Sequence, residues 1–138
     1  MAEPNKLIDV EGIGPEFAKK LEAAGAKTTK DLLVMAKTPN DREKLAEKTG
    51  ISGTLILKWA NRADLMRIKG IGGEYAEFLE RIGVNTVNEL ATRSPENLYA
   101  AVESFDLVKA PILRQKPTIN DVKAWVNHAK RLEPTLKY

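Results

Sequence analysis

Side chains that do chemistry in small proteins are scarce in this sequence. It contains no cysteine and one histidine, His128, which removes thiol catalysis, disulfide scaffolds, zinc fingers and histidine-rich metal cages together. A serine–histidine–acid arrangement would rest on His128 alone. That residue has Lys130 and Arg131 beside it and its nearest preceding acid, Asp121, two helical turns away, so no acid is placed to orient the ring; it reads as a surface or half-buried helix position. The repeated carboxylate pairs Glu16/Glu22 and Glu74/Glu80 are spaced six apart, which puts their members on different faces of a helix rather than around one metal or proton. No catalytic constellation follows, and the expectation is a protein that is not an enzyme, with no cofactor and no metal site.

What remains is main-chain chemistry. Val10-Glu11-Gly12-Ile13-Gly14-Pro15-Glu16-Phe17-Ala18-Lys19-Lys20-Leu21 and Ile68-Lys69-Gly70-Ile71-Gly72-Gly73-Glu74-Tyr75-Ala76-Glu77-Phe78-Leu79 both read apolar-x-Gly-apolar-Gly-x-x-x-Ala-x-x-apolar. The first glycine of each supplies a positive-φ turn that other residues resist, and the apolar residue between the glycines plugs a core. The second glycine opens a helix, whose small Ala18 or Ala76 permits close helix approach. A helix N-terminus with unpaired N–H groups is a natural anion site.

The elements that position these stretches repeat with them. Leu7 through Leu32 aligns without a gap on Leu65 through Leu90, and Trp59-Ala60-Asn61-Arg62-Ala63 matches Trp125-Val126-Asn127-His128-Ala129 once about eight extra residues are allowed in the second half. Helix-start signals punctuate both halves: Thr28-x-x-Asp31 and Thr86-x-x-Glu89 as capping boxes, Thr38-Pro39 and Ser94-Pro95 as hydroxyl caps followed by proline, and Thr118-x-x-Asp121 as the start of the last helix. No stretch alternates with period two, so the sequence predicts helices over 4–10, 14–24, 29–37, 39–49, 53–69, 73–82, 87–93, 95–105 and 119–132. The helix 53–69 carries both Trp59 of one copy and Leu65 of the next without a breaker, and so couples the copies rigidly. Thr49-Gly50-Ile51-Ser52-Gly53 reads as a fainter hairpin; its counterpart, within 106–117, has two prolines and three basic residues in place of the glycines and reads as an irregular, partly mobile linker. Trp59 and Trp125 have apolar helical neighbours and read as core.

The glycine pattern resembles the helix-hairpin-helix motif of DNA repair, recombination and replication proteins, at every signature position in both copies. At a wider scale the order of hairpin, Ala-Gly-x-x-Thr-x-x-Asp-Leu, helix and Trp-x-Asn-x-Ala resembles a bacterial and archaeal family catalogued as a domain of unknown function, the one numbered 4332. These resemblances imply an all-α fold of two tandem helix-hairpin-helix units, SAM-domain-like, sharing a central helix, with residues 1–63 as the first unit and 64–138 as the second. They also imply phosphate contact, without sequence reading, by backbone amides around Gly12 to Glu16 and Gly70 to Glu74.

Charge discriminates between the two copies. Residues 1–63 carry 11 basic and 9 acidic side chains, 64–106 carry 4 and 8, and 107–138 carry 7 and 2, so the net +3 is concentrated late in the chain. Arg67 and Lys69 flank the second hairpin, where the first has Asp9 and Glu11. Lys116, Lys123, Lys130 and Lys137 recur every seven residues, which puts Lys123 and Lys130 on one helix face as a solvated surface or a phosphate-tracking stripe. Glu16 and Glu74 complement the helix dipole in each first turn, and both would repel a phosphate there. The candidate nucleic-acid-binding set is therefore Gly70, Gly72, Gly73, Lys69 and Arg67, with Gly12, Gly14, Lys123 and Lys130. Two functions stay open: a module binding DNA non-specifically through its phosphates, and a protein–protein interaction or scaffold module whose hairpins are structural. No apolar run reaches the roughly 18 residues of a membrane span, and Met1–Asn5 does not open a signal peptide, so the expected location is cytoplasmic, with no small-molecule substrate.

Overall fold

The computed structural model describes residues 5–138. Those residues form eight α-helices and one 3-10 turn, with no strand beyond an isolated antiparallel bridge between Lys6 and Thr28. The helices are α1 (Pro15–Ala23), α2 (Thr29–Met35), α3 (Pro39–Thr49), α4 (Gly53–Leu65), α5 (Gly73–Arg81), α6 (Val87–Thr92), α7 (Pro95–Ser104) and α8 (Ile119–Arg131). Among the described residues no helix is long and apolar enough to cross a membrane.

The predicted starts follow from local chemistry. Thr28, Thr38 and Thr118 each accept from the amide three residues on while Asp31, Asp41 and Asp121 bond back to the cap. At Thr86 the expected box is only half formed: its hydroxyl accepts from the Glu89 amide, but the Glu89 carboxylate accepts from the Thr86 hydroxyl rather than from the Thr86 amide; Ser94 accepts from Asn97. Ser52 Oγ accepts from the Thr54 amide at the start of α4. Gly50, at φ +74°, ends α3 in the left-handed conformation, so the Thr49–Gly53 turn forms as expected.

Two predicted helices are shorter than expected. The segment 4–10 is helical only as the 3-10 turn Leu7–Asp9, with Pro4 outside the described residues, and α4 stops at Leu65 instead of running to residue 69. The same turn explains both. Val10 N–H bonds to Leu7 C=O at 3.0 Å and Ile68 N–H to Leu65 C=O at 3.1 Å, an i→i−3 closure that inserts Leu7, Val10, Leu65 and Ile68 into their cores. Gly12 and Gly70, at φ +95° and +92°, turn the chain out of the helical path just beyond each closure.

The chain divides into two compact units. The first runs to Asp64 and takes in Thr135–Tyr138; the second is Leu65–Pro134. In the first, Leu7, Val10, Ile13, Leu21, Leu32 and Trp59 are buried; in the second, the equivalent Leu65, Ile68, Ile71, Leu79, Leu90 and Trp125 are buried. The second unit adds an edge-to-face pair of Phe78 and Phe105 with ring centroids 5.0 Å apart. Its segment 106–117 is irregular, as expected, but anchored: Asp106 Oδ1 accepts from the Val108 and Lys109 amides, Lys116 Nζ donates to Glu103 C=O, and Leu113 is buried.

Candidate functional site

Each glycine-rich stretch is built the same way. Gly12 and Gly70 adopt φ of +95° and +92°, and the next apolar residue, Ile13 or Ile71, bonds back to Val10 or Ile68 and is buried. The reason no side chain fits at the first glycine is visible in the packing. A Cβ on Gly12 would stand 3.1 Å from Trp59 Nε1, and one on Gly70 would stand 3.2 Å from Trp125 Nε1. Each tryptophan in turn meets the aromatic residue of the following helix, Phe17 against Trp59 at 4.9 Å and Tyr75 against Trp125 at 5.0 Å, tilted by 58° and 57°. The tryptophans are core residues, as their neighbours in sequence predict, and their specific task is to floor the hairpin. Sequence reasoning missed that task, although the joint repetition of Gly12/Gly70, Phe17/Tyr75 and Trp59/Trp125 carried it.

A second grip comes from the residue three after each tryptophan. In the first unit Arg62 Nη1 donates to Glu11 C=O; in the second His128 Nδ1 accepts from Lys69 N–H at 3.1 Å. Glu11 and Lys69 occupy the same hairpin position, so the two units hold it with opposite polarity. His128 is half-buried, and its ring nitrogen does structural work at the hairpin.

The second glycines, Gly14 and Gly72, are extended N-caps of α1 and α5 with open space where a Cβ would stand, and neither supplies a side-chain cap. The other six α-helices start under a serine or threonine oxygen. The two openings still differ: Pro15 at the first position of α1 has no N–H, whereas Gly73 at the first position of α5 keeps one.

Beside the start of α5 lies a recess of about 400 Å³ lined by Gly70, Gly72, Gly73, Glu74, Tyr75, Leu113, Arg114 and Gln115. The Arg114 guanidinium stands 3.7 Å from the Glu74 carboxylate, with side chains 92% and 46% exposed, an ion pair of small energy but correct sign. Tyr75 donates its hydroxyl to Gln115 C=O at 3.2 Å. Burial, then the charges of Asp121 and Glu74, push the Tyr75 phenol above its ordinary pKa. The recess therefore holds acid as well as base.

The structure gathers only some of the predicted cations here. Lys69 is exposed beside Gly70, and Arg67 Nη2 donates to Glu133 C=O at 2.8 Å. Lys123 and Lys130 are exposed on α8, but at 3.6 residues per turn they lie about 140–160° around that helix from Trp125, which packs under Gly70. Lys123 acts on Glu96 of α7: the Glu96 carboxyl is held below its ordinary value by a backbone amide and the Ser94 hydroxyl, with the Lys123 charge adding to both. The lysine stripe and the second hairpin thus occupy different sides of α8. Arg114, from the irregular segment, takes a place at the recess that sequence reasoning did not assign; the excess of basic residues in 107–117 was its only trace. Among the described residues no cluster of histidine and acids suited to a metal is present.

A family model described as a domain of unknown function (DUF4332) matches residues 11–132, which takes in the paired glycines Gly12/Gly14 and Gly70/Gly72 and all of α1–α8. No curated protein and no solved structure matches the chain.

Proposed function

The chain belongs to the DUF4332 family, and on that premise we propose that it is a non-enzymatic, cytoplasmic module of two tandem helix-hairpin-helix units that binds DNA through backbone phosphates without sequence preference. The observation that carries this reading is the start of α5. Gly72 brings no capping side chain, Gly73 retains its N–H, and Arg114 stands at the recess against Glu74. An uncapped helix start favours an anion through its N–H groups and dipole, and Arg114 offsets part of the repulsion Glu74 would exert. The first hairpin is the poorer candidate, since Pro15 removes a donor and Glu11 and Glu16 add negative charge. The contact set we propose is Gly70, Gly72, Gly73, Lys69 and Arg114, with Gly12 and Gly14 secondary and Lys123 and Lys130 remote.

Fluorescence anisotropy with duplex and single-stranded DNA over a salt series tests this. Binding is expected at about 50 mM salt and should weaken steeply above it. Lys69→Glu and Arg114→Glu should weaken it more than Lys19→Glu or Lys123→Glu. No binding at low salt ends the reading, and equal effects of all four changes end the choice of hairpin.

A second reading, a protein-interaction module with purely structural hairpins, is favoured by one observation in the first unit. Val34 is 67% exposed, and the next residue, Met35, lines with Asp41, Lys44, Leu45, Glu47 and Lys48 a surface recess of about 560 Å³. Co-purified partners that survive nuclease treatment would favour it.

A further inference from the structure

Arg42 is a charged residue in a core position. It stands three residues after Pro39 as Leu98 stands three after Pro95, and Leu98 is fully buried in its own unit. Arg42 is also buried, at 7% exposure, and its guanidinium donates to Ala36 C=O at 2.8 Å, Lys37 C=O at 3.3 Å and Lys137 C=O at 2.9 Å. The last of these partners is 95 residues away in sequence.

Lys137 lies in Thr135–Tyr138, the short non-helical segment that belongs to the first unit. Every residue of that segment is held. Thr135 Oγ1 donates to Oδ1 of the buried Asp64 at 2.9 Å. Leu136 is 6% exposed, and the Lys137 N–H donates to Lys37 C=O at 2.7 Å. The Tyr138 hydroxyl donates to Asn61 Oδ1 at 2.6 Å, and its ring lies 5.9 Å from the Arg42 guanidinium carbon. At Lys137 the seat uses only the main-chain N–H and C=O while the side chain stays exposed; at Thr135, Leu136 and Tyr138 it uses the side chain. Main-chain pairing combined with pockets for particular side chains is how proteins bind extended peptides.

We propose that the first unit is a peptide-binding module whose seat, formed by Lys37, Arg42, Asn61 and Asp64, is closed by the chain's own Thr135–Tyr138. The partner it fits is an extended segment of the pattern Thr-Leu-x-Tyr, which gains access by displacing this strap. The assignment is independent of the nucleic-acid reading, which rests on the second unit. Its basis is that the seat spends a buried arginine on the Lys137 carbonyl of the segment, at a position where the other unit spends a leucine.

The test uses the full chain and a fluorescein-labelled peptide of sequence Glu133–Tyr138. Leu136→Asp should eject the strap and leave the seat open, so the peptide should bind this variant at least tenfold more tightly than the wild-type chain, and a scrambled peptide should bind neither. Equal or absent binding in a variant whose circular dichroism is unchanged overturns the proposal. Should Leu136→Asp unfold the chain, Arg42→Leu supplies the readout, because leucine fills the equivalent position in the second unit. Hydrogen exchange of the Lys137 amide is expected to be protected in the wild type and at least tenfold faster in Arg42→Leu. Unchanged exchange there overturns the proposal.

Discussion

The hairpin glycines serve two purposes at the residue scale, and substitution separates them. Gly12 and Gly70 combine positive φ with a tryptophan ring nitrogen 3.1 or 3.2 Å from the site of any added Cβ, so Gly12→Ala and Gly70→Ala each face backbone strain of about 1–2 kcal/mol before any repacking. Each should lower the urea midpoint clearly. Gly14→Ala, at an extended N-cap with nothing within 4 Å of a Cβ, should cost less, since alanine there is only a poor cap. A larger effect at Gly14 than at Gly12 would mean that the tryptophan does not floor the hairpin. The same scale shows why Arg62 and His128 are not interchangeable. Arginine has no acceptor for the Lys69 N–H, and a histidine ring with Nδ1 unprotonated has no donor there for the Glu11 carbonyl.

At the scale of elements, short helices depend on their caps. Helix α2 has seven residues and is too short to stand on propensity alone. Its capping box holds Asp31 Oδ2 against the Lys27 amide at 3.0 Å and the Thr28 amide at 3.1 Å. The Lys27 amide is the largest cause holding the Asp31 carboxyl below its ordinary 3.8, with the Thr28 groups adding and slight burial opposing. A carboxyl whose folded pKa is depressed stabilises the fold above its unfolded pKa, and this stabilisation is lost as pH falls through the lower folded value. Asp31→Asn should therefore lower the melting temperature at pH 7 and lower it less at pH 3, which is already below the ordinary 3.8 and within the range where this stabilisation is being lost. Equal destabilisation at both pH values would show that charge is not what the box uses. The shortening of the predicted helix 53–69 belongs to this scale too: it ends in an i→i−3 closure from Ile68 N–H to Leu65 C=O, two residues before Gly70 turns the chain at positive φ.

The whole molecule carries a net charge of +3 that is distributed unevenly, and its arrangement in space matters more than its sum. With Lys69 and Arg114 at the second hairpin and the α8 lysines on another side of that helix, the proposed DNA contact neutralises about two phosphates. The logarithm of the binding constant should then fall against the logarithm of salt with a slope of about −2. A slope of about −5 or steeper would bring the lysine stripe into the interface and overturn the narrower contact set.

Much of the all-helical architecture was legible in the sequence because its determinants are local. Threonine and serine caps, proline at a first helical position and glycine at positive φ act within four residues of where they stand, and the internal repeat states most of them twice. Which cation faces which hairpin was not legible, since Arg114 reaches the recess from an irregular segment that obeys no period. Nor was the closure of the first unit by Thr135–Tyr138, where Arg42 meets a carbonyl 95 residues away. Local rules therefore specify where most helices start and turn and that both tryptophans are buried, but not where the helices predicted over 4–10 and 53–69 end. What those tryptophans support, which charges share a face and where Thr135–Tyr138 is seated come from packing between residues that no local rule connects.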